Sequence, residues 1–446
     1  PGAGVLPFPP TTTLAPNRSM QHEPAPGRPL RVLIVAEHAS ARFGGEAALP
    51  MHYFRVLLGR GLPVWLITHA RVRAELVAAY PNDQHRIRYV EDTPLHRGLW
   101  RLGEPLPARL SYITTGFLSR VMTQWRQRSL ARRLVREEQI DVVHQPMPVS
   151  PKEPSLMYGL GAPVVIGPLN GGMNYPAAFQ QQGVRWVGGI ANAARLLSGL
   201  LNRAMPGKPR AAVVVVANER TRDALPTGLS GRVVIVPENG VDLGLWQRPD
   251  RATVESRPAR FVFMGRLVDW KAVDLLIEAF ALARKRTPMS LTIIGDGPEG
   301  AACRAQAGAL GLSALQSGEP GGVWFAGWRA QAECAAMLRE HDALVLPSLW
   351  ECGGAVVLEA MACGLPVIAT AWGGPLDYLD ADCGVLVEPS GRAALIAGLA
   401  EALVRLAADP AERQRLGAAG RQRVERDFDW ERKVDTMLSI YREASA

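Results

Sequence analysis

The chain has 446 residues, of which 48% are hydrophobic and 21% are charged, and its formal net charge is +8. One hydrophobic core stops growing at about 250 to 300 residues, so we expect two or three domains. The composition is typical of a globular protein, and no apolar run approaches the roughly 18 residues that a membrane-spanning helix needs. No recognised nucleic-acid motif accompanies the arginines, so we do not expect a nucleic-acid partner.

Residues 1–29 are rich in proline and poor in large apolar side chains, which predicts a disordered arm. The arm lacks a charged region followed by an apolar stretch, so we expect no secretory signal. The five cysteines are odd in number and form no C-x-x-C pair, which argues against a disulfide framework and against a structural zinc site. These features favour a reducing, cytoplasmic setting.

From residue 30 onward, short β-branched runs alternate with longer amphipathic stretches. The runs are almost continuously apolar, which is typical of parallel strands that helices cover on both faces. In the first half they predict strands at 31–36, 63–68, 140–144, 162–167, 211–217 and 232–237. After a polar linker at 246–260, they predict strands at 260–265, 291–295, 323–327, 343–347, 366–370 and 384–387.

This repetition predicts an α/β protein of two doubly wound, Rossmann-like domains that face each other across a cleft. We place the N-terminal domain at 30–247, the C-terminal domain at 248–428 and a final helix at 429–446. Open parallel sheets bind ligands beyond the carboxyl ends of their strands, so we expect the functional residues in the loops that follow the strands.

The strongest motif is PSLWECGGAVVLEAMACGLPVIAT at residues 347–370, between two predicted strands. Its central helix begins after two glycines, and the free N–H groups of a helix N-terminus attract a diphosphate. We therefore predict that a diphosphate is bound by Cys352, Gly353, Gly354 and Ala355.

Two glutamates flank this helix start. Glu351 lies in the loop before the helix, and Glu359 lies about 8 Å along the axis from Gly354 at 1.5 Å per residue. Carboxylates so placed could accept hydrogen bonds from hydroxyl groups on both sides of a diphosphate, which is the layout of a nucleotide sugar. On spacing alone, a solvated loop residue and an exposed helical residue are equally compatible with the sequence.

A second motif, FMGRLVDWKAVDLLIEAF at 263–280, also follows a predicted strand. Arg266 comes directly after the strand, and Lys271 precedes a helix. Two cations at this position suit a diphosphate leaving group, because arginine can grip two oxygens and lysine acts as a point charge. An ordinary loop with two solvated basic residues is the alternative.

Three loops of the first half complete the predicted cleft. A Gly-Gly pair after the first strand allows the backbone to approach a ligand, although a plain turn would use the same residues. A histidine ends the strand at 140–144 and is expected to face the cleft, although a lone histidine is more often a structural residue with its hydrogen bonds satisfied. GPLNGGMNYP at 167–176 could shape an acceptor pocket or a tight turn. The candidates in these loops are Gly44, Gly45, His144, Asn170, Gly171 and Gly172.

Residues 97–139 carry nine arginines against three glutamates, with Trp100, Phe117 and Trp125 among them. This excess of positive charge predicts an anionic partner, such as phosphate groups or a membrane surface. A helix pair that packs on its own domain is the alternative.

The residues described above resemble the retaining glycosyltransferases of family 4, which have the GT-B fold. The resemblance runs from about residue 30 to the C-terminus and is densest from 237 to 374. It rests on Glu351 and Glu359 with seven residues between them, on G-R-L with Lys271 five residues after the arginine, and on PENGVD at 237–242 as the interdomain turn.

The resemblance implies a metal-independent enzyme, with no cofactor, that moves a sugar from a nucleoside-diphosphate sugar to a hydroxyl with retention of configuration. Arg266 and Lys271 would neutralise the diphosphate, Glu351 would hold the sugar, and Glu359 would bind the ribose. The acceptor would be a sugar or a lipid-linked glycan in polysaccharide biosynthesis, met in the cytoplasm or at the inner face of an anionic membrane through residues 97–139.

Further implications of the resemblance concern single positions. Gly45 would offer its backbone to the phosphate, His144 would contact the sugar, and the loop at 325–329 with Trp328 would hold the nucleotide base. The final helix would cross back onto the N-terminal domain. Gly353 stands where the family has a larger residue, which predicts a roomier donor pocket. A catalytically silent GT-B binding protein and a GT-B epimerase or phosphorylase remain alternatives.

Overall fold

A computed structural model of the protein describes residues 28–41, 45–180, 199–247, 257–314 and 316–446. The predicted arm at 1–29 therefore lies almost wholly outside the described residues, and so does Gly44. Both predicted parallel sheets are present, and each is covered by helices on its two faces, which confirms the expected pair of Rossmann-like domains.

The N-terminal sheet has seven parallel strands in the order β3-β2-β1-β4-β5-β6-β7. Their bounds are β1 Val32–Val35, β2 Val64–His69, β3 Ile87–Val90, β4 Val142–Gln145, β5 Val164–Leu169, β6 Val213–Val216 and β7 Arg232–Ile235. The edge strand β3 was not predicted from the sequence. The strand order reverses between β1 and β4, which marks the place where such a sheet binds ligands.

The C-terminal sheet has six parallel strands in the order β10-β9-β8-β11-β12-β13. Their bounds are β8 Ala259–Met264, β9 Met289–Ile294, β10 Val323–Gly327, β11 Ala343–Leu346, β12 Val367–Thr370 and β13 Gly384–Val387. All six correspond to predicted runs. Here the order reverses between β8 and β11, the two strands that precede the Arg266 loop and the Glu351 loop.

Helices connect the strands in both domains. Those of the first domain are α1 Gly45–Gly59, α2 Arg73–Ala79, α3 Pro94–Gly103, α4 Ala108–Ile113, α5 Thr115–Glu137 and α6 Glu219–Arg222. Those that follow are α7 Val273–Ala283, α8 Gly300–Ala309, α9 Gln331–Arg339, α10 Ala355–Ala362, α11 Pro375–Tyr378, α12 Arg392–Ala408, α13 Pro410–Asp427 and α14 Trp430–Ser445. Within the described ranges, none of these helices combines the length and the apolar character that a membrane span requires.

The last helix, α14, returns to the N-terminal domain. The Trp430 ring stacks on His52 of α1 with a centroid distance of 4.7 Å. Val434, Met437 and Tyr441 are fully buried and belong to the N-terminal hydrophobic core. The chain therefore completes its first core with its last residues, and it passes between the two domains twice, before β8 and before α14.

Candidate functional site

The two predicted donor loops meet at the point where the C-terminal strand order reverses. After β8 the chain forms a short 3₁₀ turn, Asp269–Lys271, and the backbone N–H of Leu349 donates to the carbonyl of Trp270 at 2.8 Å. The Lys271 ammonium forms an ion pair with Glu351, and their side chains are only 15% and 13% exposed. The structure thus brings together a cation and a carboxylate that lie 80 residues apart in sequence.

Glycine packing allows these loops to approach so closely. A Cβ atom at Gly295 would lie 1.9 Å from the carbonyl oxygen of Gly265, so only glycine fits between the β8 and β9 loops. Ala272, which follows Lys271, adopts a left-handed conformation with φ of 51°. An L-residue pays about 1 to 2 kcal/mol for that conformation, and here it turns the chain sharply from the Lys271 loop into α7.

The N-terminus of α10 has no side-chain cap. Gly354 takes the cap position with φ of 81°, and Ala355 begins the helix. The first N–H groups of α10 therefore stay available for an external acceptor, and the helix dipole places partial positive charge there. This is the predicted diphosphate position, and it adjoins Glu351, whose Cγ would lie 3.0 Å from a Cβ atom at Gly354.

Glu359 lies on α10 with a carboxyl group that burial has desolvated. Burial raises the pKa of Glu359 to about 7. In the part of the chain that the structure describes, no donor forms a hydrogen bond to this carboxylate. Glu359 as a whole is half-buried, so this acceptor without a protein partner is open to bound hydroxyl groups.

The surroundings of Gly353 correct one expectation. A Cβ atom at Gly353 would lie 2.4 Å from Nδ2 of Asn239 and 2.9 Å from Oε2 of Glu238. The space that a larger residue would occupy is therefore filled by the interdomain turn. The prediction of a roomier donor pocket at Gly353 was wrong.

Two other donor-side candidates are exposed. Arg266 follows β8 directly, and among the described residues its side chain has no ion-pair partner, so it is free to meet a phosphate. Trp328 follows the edge strand β10 and is 71% exposed, and its role with a nucleotide base stays a prediction. Cys352 is half-buried, and burial raises the pKa of its thiol to about 12, so it is a neutral thiol near the site.

His144 lies inside the N-terminal core and not at the cleft. Its side chain is fully buried, Nε2 lies 2.6 Å from the carbonyl oxygen of Gly167, and Nδ1 lies 2.7 Å from the Tyr441 hydroxyl. Burial lowers the pKa of His144 to about 4, so the ring is neutral. Both ring nitrogens are occupied and α14 covers the ring, so the predicted sugar contact of His144 is corrected to a structural role.

A cavity of about 700 Å³ lies at the carboxyl ends of β1, β4 and β5. The predicted acceptor residues Asn170, Gly171 and Gly172 line it. Trp350 and Cys352 reach its wall from the C-terminal domain. The cavity therefore borders the Glu351 loop directly.

Several polar residues of this cavity were not singled out from the sequence. Glu37 follows β1, Gln145 ends β4, and Glu153 forms an ion pair with Arg120 of α5 at 2.7 Å. Burial raises the pKa of Glu37. For Glu37 and Gln145, the signal that could have found them is a polar side chain at the end of a buried strand, whereas Glu153 lies well beyond the end of β4 and carries no such signal. Gly45 begins α1 beside this wall, and its Cα faces open space, with no heavy atom within 4 Å of a Cβ there.

Polar contacts join the two domains around the cavity. Arg220 forms an ion pair with Asp377 at 3.0 Å, and the Trp372 indole N–H donates to the carbonyl of Asn174 at 2.8 Å. The rings of Tyr175 and Trp350 lie 5.0 Å apart. In the described parts of the chain, no three His, Cys, Asp or Glu side chains are grouped as a metal site would require.

Comparisons with known proteins agree with this architecture. Residues 247–423 match the sequence family described as glycosyl transferases group 1. HepE of Anabaena, solved in complexes with UDP and with UDP-glucose, superposes on this fold with a TM-score of 0.60 in the UDP complex. That alignment covers 92% of this chain and 99% of HepE at 16% identity, so it shows the shared fold alone.

Two similar sequences are D-inositol 3-phosphate glycosyltransferases. The protein of Salinispora tropica is 32% identical over 263 residues, which are 58% of this chain and 51% of the relative, so the chain spans about half of that relative's length. The protein of Actinosynnema mirum is 31% identical over 292 residues, which cover 58% of this chain and 68% of the relative. With its two Rossmann-like domains and this degree of similarity, the chain belongs to the group 1 glycosyl transferases of GT-B fold.

Proposed function

We propose that the chain transfers a sugar from a nucleoside-diphosphate sugar to a hydroxyl acceptor, with retention of configuration and without a metal, as in glycosyltransferase family 4. The observation that carries this proposal is the Lys271–Glu351 pair, largely buried beside the uncapped N-terminus of α10. A cation, free helix N–H groups and a sugar-binding carboxylate meet there at one strand reversal. This set suits an activated sugar better than it suits a passive scaffold.

In the proposed reaction, the bond from the anomeric carbon to the donor phosphate breaks, and a bond to the acceptor oxygen forms on the same face of the sugar. Negative charge grows on the departing phosphate, where Lys271, Arg266 and the α10 N-terminus stabilise it. The acceptor hydroxyl gives its proton to a departing phosphate oxygen. Glu351 orients the sugar through its hydroxyl groups and need not act as a nucleophile.

A binding screen followed by a product assay tests this function. We expect one nucleoside diphosphate among UDP, GDP and ADP to raise the melting temperature, because a ligand at a hundred times its Kd stabilises by about 2.7 kcal/mol. UDP is the first choice, since HepE was solved with UDP. NMR of the transfer product should show the anomeric configuration of the donor. An epimerised donor without acceptor, strict dependence on inorganic phosphate, or binding without turnover would instead support one of the alternative functions.

The finer proposal concerns the acceptor, which we infer is a lipid-linked glycan met at an anionic membrane on its cytoplasmic face. Seven of the fourteen large apolar side chains that are exposed in the described residues lie on α3, α4 and α5 within 31 positions of the chain. These seven, which we call the α3–α5 surface, are Leu95, Trp100, Leu102, Leu110, Ile113, Leu118 and Trp125.

Charge and position support a lipid partner for the α3–α5 surface. Arg97 and Arg101 are exposed on the same helix as Leu95 and Trp100, and no carboxylate among the described residues pairs with them. Protruding apolar side chains flanked by arginines suit a fluid anionic bilayer. Trp100 is 65% exposed and also lines the acceptor cavity, so a membrane-borne acceptor would have a short path to the donor loop.

Liposome flotation tests the membrane proposal. We expect binding to vesicles that contain phosphatidylglycerol, little binding to pure phosphatidylcholine, and at least a tenfold weaker affinity when Leu102 and Trp125 are both replaced by serine. The matched control replaces Leu282 and Leu310, which are exposed in the other domain, and should bind as the unmodified protein does. Equal binding by both double variants, or a complex with a protein in place of lipid, would overturn it.

A further inference from the structure

A buried pair of polar side chains lies where the two domains and their connection meet. Asn170 follows β5, and Glu238 belongs to the turn after β7; each is 4% exposed. Nδ2 of Asn170 donates to Oε2 of Glu238 at 2.6 Å, and the same nitrogen donates to the backbone carbonyl of Cys352 at 3.0 Å. One side-chain amide therefore connects the acceptor cavity, the interdomain turn and the donor loop.

The pair abuts the donor loop because residue 353 is glycine. Oε2 of Glu238 would lie only 2.9 Å from a Cβ atom at Gly353, so no side chain separates the carboxylate from the loop backbone. On the other side, the N–H of Gly374 donates to the carbonyl of Glu351 at 2.7 Å. The segment from Glu351 to Gly353 is therefore held from both sides, and the N-terminal domain supplies one of the two contacts.

Neighbouring groups fix the orientation of the Asn170 amide. Its Oδ1 faces two donors, Nδ2 of Asn218 and the hydroxyl of Thr221, each at 3.5 Å. These contacts leave Nδ2 directed at its two acceptors. The turn that carries Glu238 is anchored from behind, because the buried Lys433 ammonium of α14 donates to the carbonyl of Pro237.

We infer that Asn170 and Glu238 are positioning residues, which fix the backbone of Cys352 and Gly353. Through this backbone they keep the Glu351 carboxylate at the position where it contacts the sugar of the donor. This inference rests on the proposed function and deepens it. The nucleotide would be bound mainly by groups of the C-terminal domain, among them Lys271 and Glu359, and neither Asn170 nor Glu238 is one of these groups. Loss of the Asn170–Glu238 bond should therefore lower turnover and leave nucleotide affinity almost unchanged.

Steady-state kinetics of four variants test the inference. Asn170→Ala and Glu238→Ala should each lower kcat by about ten- to a hundredfold, because misplacement of a reacting group by about 1 Å has effects of this size. The kcat of the double variant should be no lower than that of the more impaired single variant, since both substitutions remove the Asn170–Glu238 hydrogen bond. Glu238→Gln keeps an acceptor oxygen for Asn170 and should restore kcat to within about threefold of the unmodified protein. KM for the donor should change by less than about threefold throughout.

The matched control is Arg220→Ala, which removes the Arg220–Asp377 bridge between the same two domains and leaves the Asn170–Glu238 hydrogen bond in place. We expect this variant to keep kcat to within about threefold. A loss equal to that of Asn170→Ala would mean that any weakening of the domain interface suffices, and it would overturn the inference. Normal kcat in Asn170→Ala would overturn it as well.

Hydrogen exchange gives a readout that does not depend on catalysis. Amides of residues 349–356 should exchange faster in Asn170→Ala and Glu238→Ala than in Arg220→Ala, while the thermal shift caused by UDP should persist in all three. Unchanged exchange in this segment would contradict the positioning role. If the unmodified protein transfers no sugar, the proposed function fails on its own, and the exchange result still decides whether this pair holds the loop.

Discussion

Replacement of Lys271 by alanine is expected to lower kcat by about two to three orders of magnitude, the usual effect of removing one preorganised group that stabilises charge in a transition state. Lys271 is largely buried against Glu351 and beside the N-terminus of α10, where water screens its charge poorly. The free energy of unfolding should fall by no more than about 2 kcal/mol, because Ser348 still donates to the Glu351 carboxylate at 3.3 Å.

Lys285→Ala is the matched control, because this substitution removes the same charge from the same domain. Lys285 is exposed and lies just beyond the end of α7. The substitution should leave kcat unchanged. Turnover by Lys271→Ala at more than about a third of the unmodified rate would count against a diphosphate at this position.

Glu359→Gln is expected to lower nucleotide affinity by about ten- to a hundredfold, since an ionised carboxylate accepts hydroxyl hydrogen bonds more strongly than an amide does. Burial raises the pKa of Glu359 to about 7, so the carboxylate ionises across the neutral range. If ribose hydroxyls bind the ionised form, nucleotide affinity of the unmodified protein rises with pH up to about 7 and then levels off. Isothermal titration calorimetry between about pH 5.5 and 8.5 measures this dependence.

Glu359→Gln should stabilise the fold above neutral pH, although it weakens nucleotide binding. The folded-state pKa of Glu359 lies above the ordinary value of 4.5, so the folded chain binds more protons than the unfolded chain between pH 4.5 and about 7. The Glu359 carboxyl therefore destabilises the fold increasingly as pH rises through this window, and the penalty is complete above pH 7. Glutamine removes the penalty, so Glu359→Gln should melt at a higher temperature than the unmodified protein at pH 8.

Glu238→Gln tests whether Glu238, and not Glu359, causes the pH dependence of nucleotide affinity. The test is needed because burial also raises the pKa of Glu238 to about 7. This variant should retain the pH dependence of nucleotide affinity. A dependence that survives in Glu359→Gln and disappears in Glu238→Gln would assign the titration to the interdomain turn and would contradict ribose binding by Glu359.

The strands were predictable where helices cover both faces, because two-sided burial leaves nearly continuous apolar runs such as the one in β6. β3 was missed for the complementary reason. It is an edge strand of four residues in which Arg88 and Tyr89 are only half-buried, so its sequence contains no apolar run. The partly exposed edge strands β7 and β10 were predicted because their sequences keep apolar runs, so the pair Arg88 and Tyr89 is what hid β3.

In the C-terminal domain, the meeting of the candidate residues was predictable because they lie in loops that follow strands. Arg266, Lys271 and Glu351 follow β8 and β11, and the strand order brings these loops together. His144 also follows the pattern of a residue at a strand end, and the prediction failed there. The cover over His144 comes from Tyr441, 297 residues away in sequence, which no local pattern reveals.

Glu238 shows a second limit of sequence reasoning. It lies in the PENGVD segment, which was noted only as the interdomain turn, and nothing in that segment indicates a buried carboxylate. Its environment is produced by Asn170 from one domain and by Gly353 from the other. Residues whose role depends on how two domains meet are visible only once the domains are assembled.

The central claim is that the C-terminal domain binds the diphosphate of an activated sugar through the loops after β8 and β11. A crystal structure of the protein with UDP tests it most directly. We predict that phosphate oxygens lie within hydrogen-bond distance of the Lys271 ammonium and of the first N–H groups of α10, with the ribose at Glu359. UDP bound elsewhere, with Lys271 still paired only to Glu351, would contradict the claim.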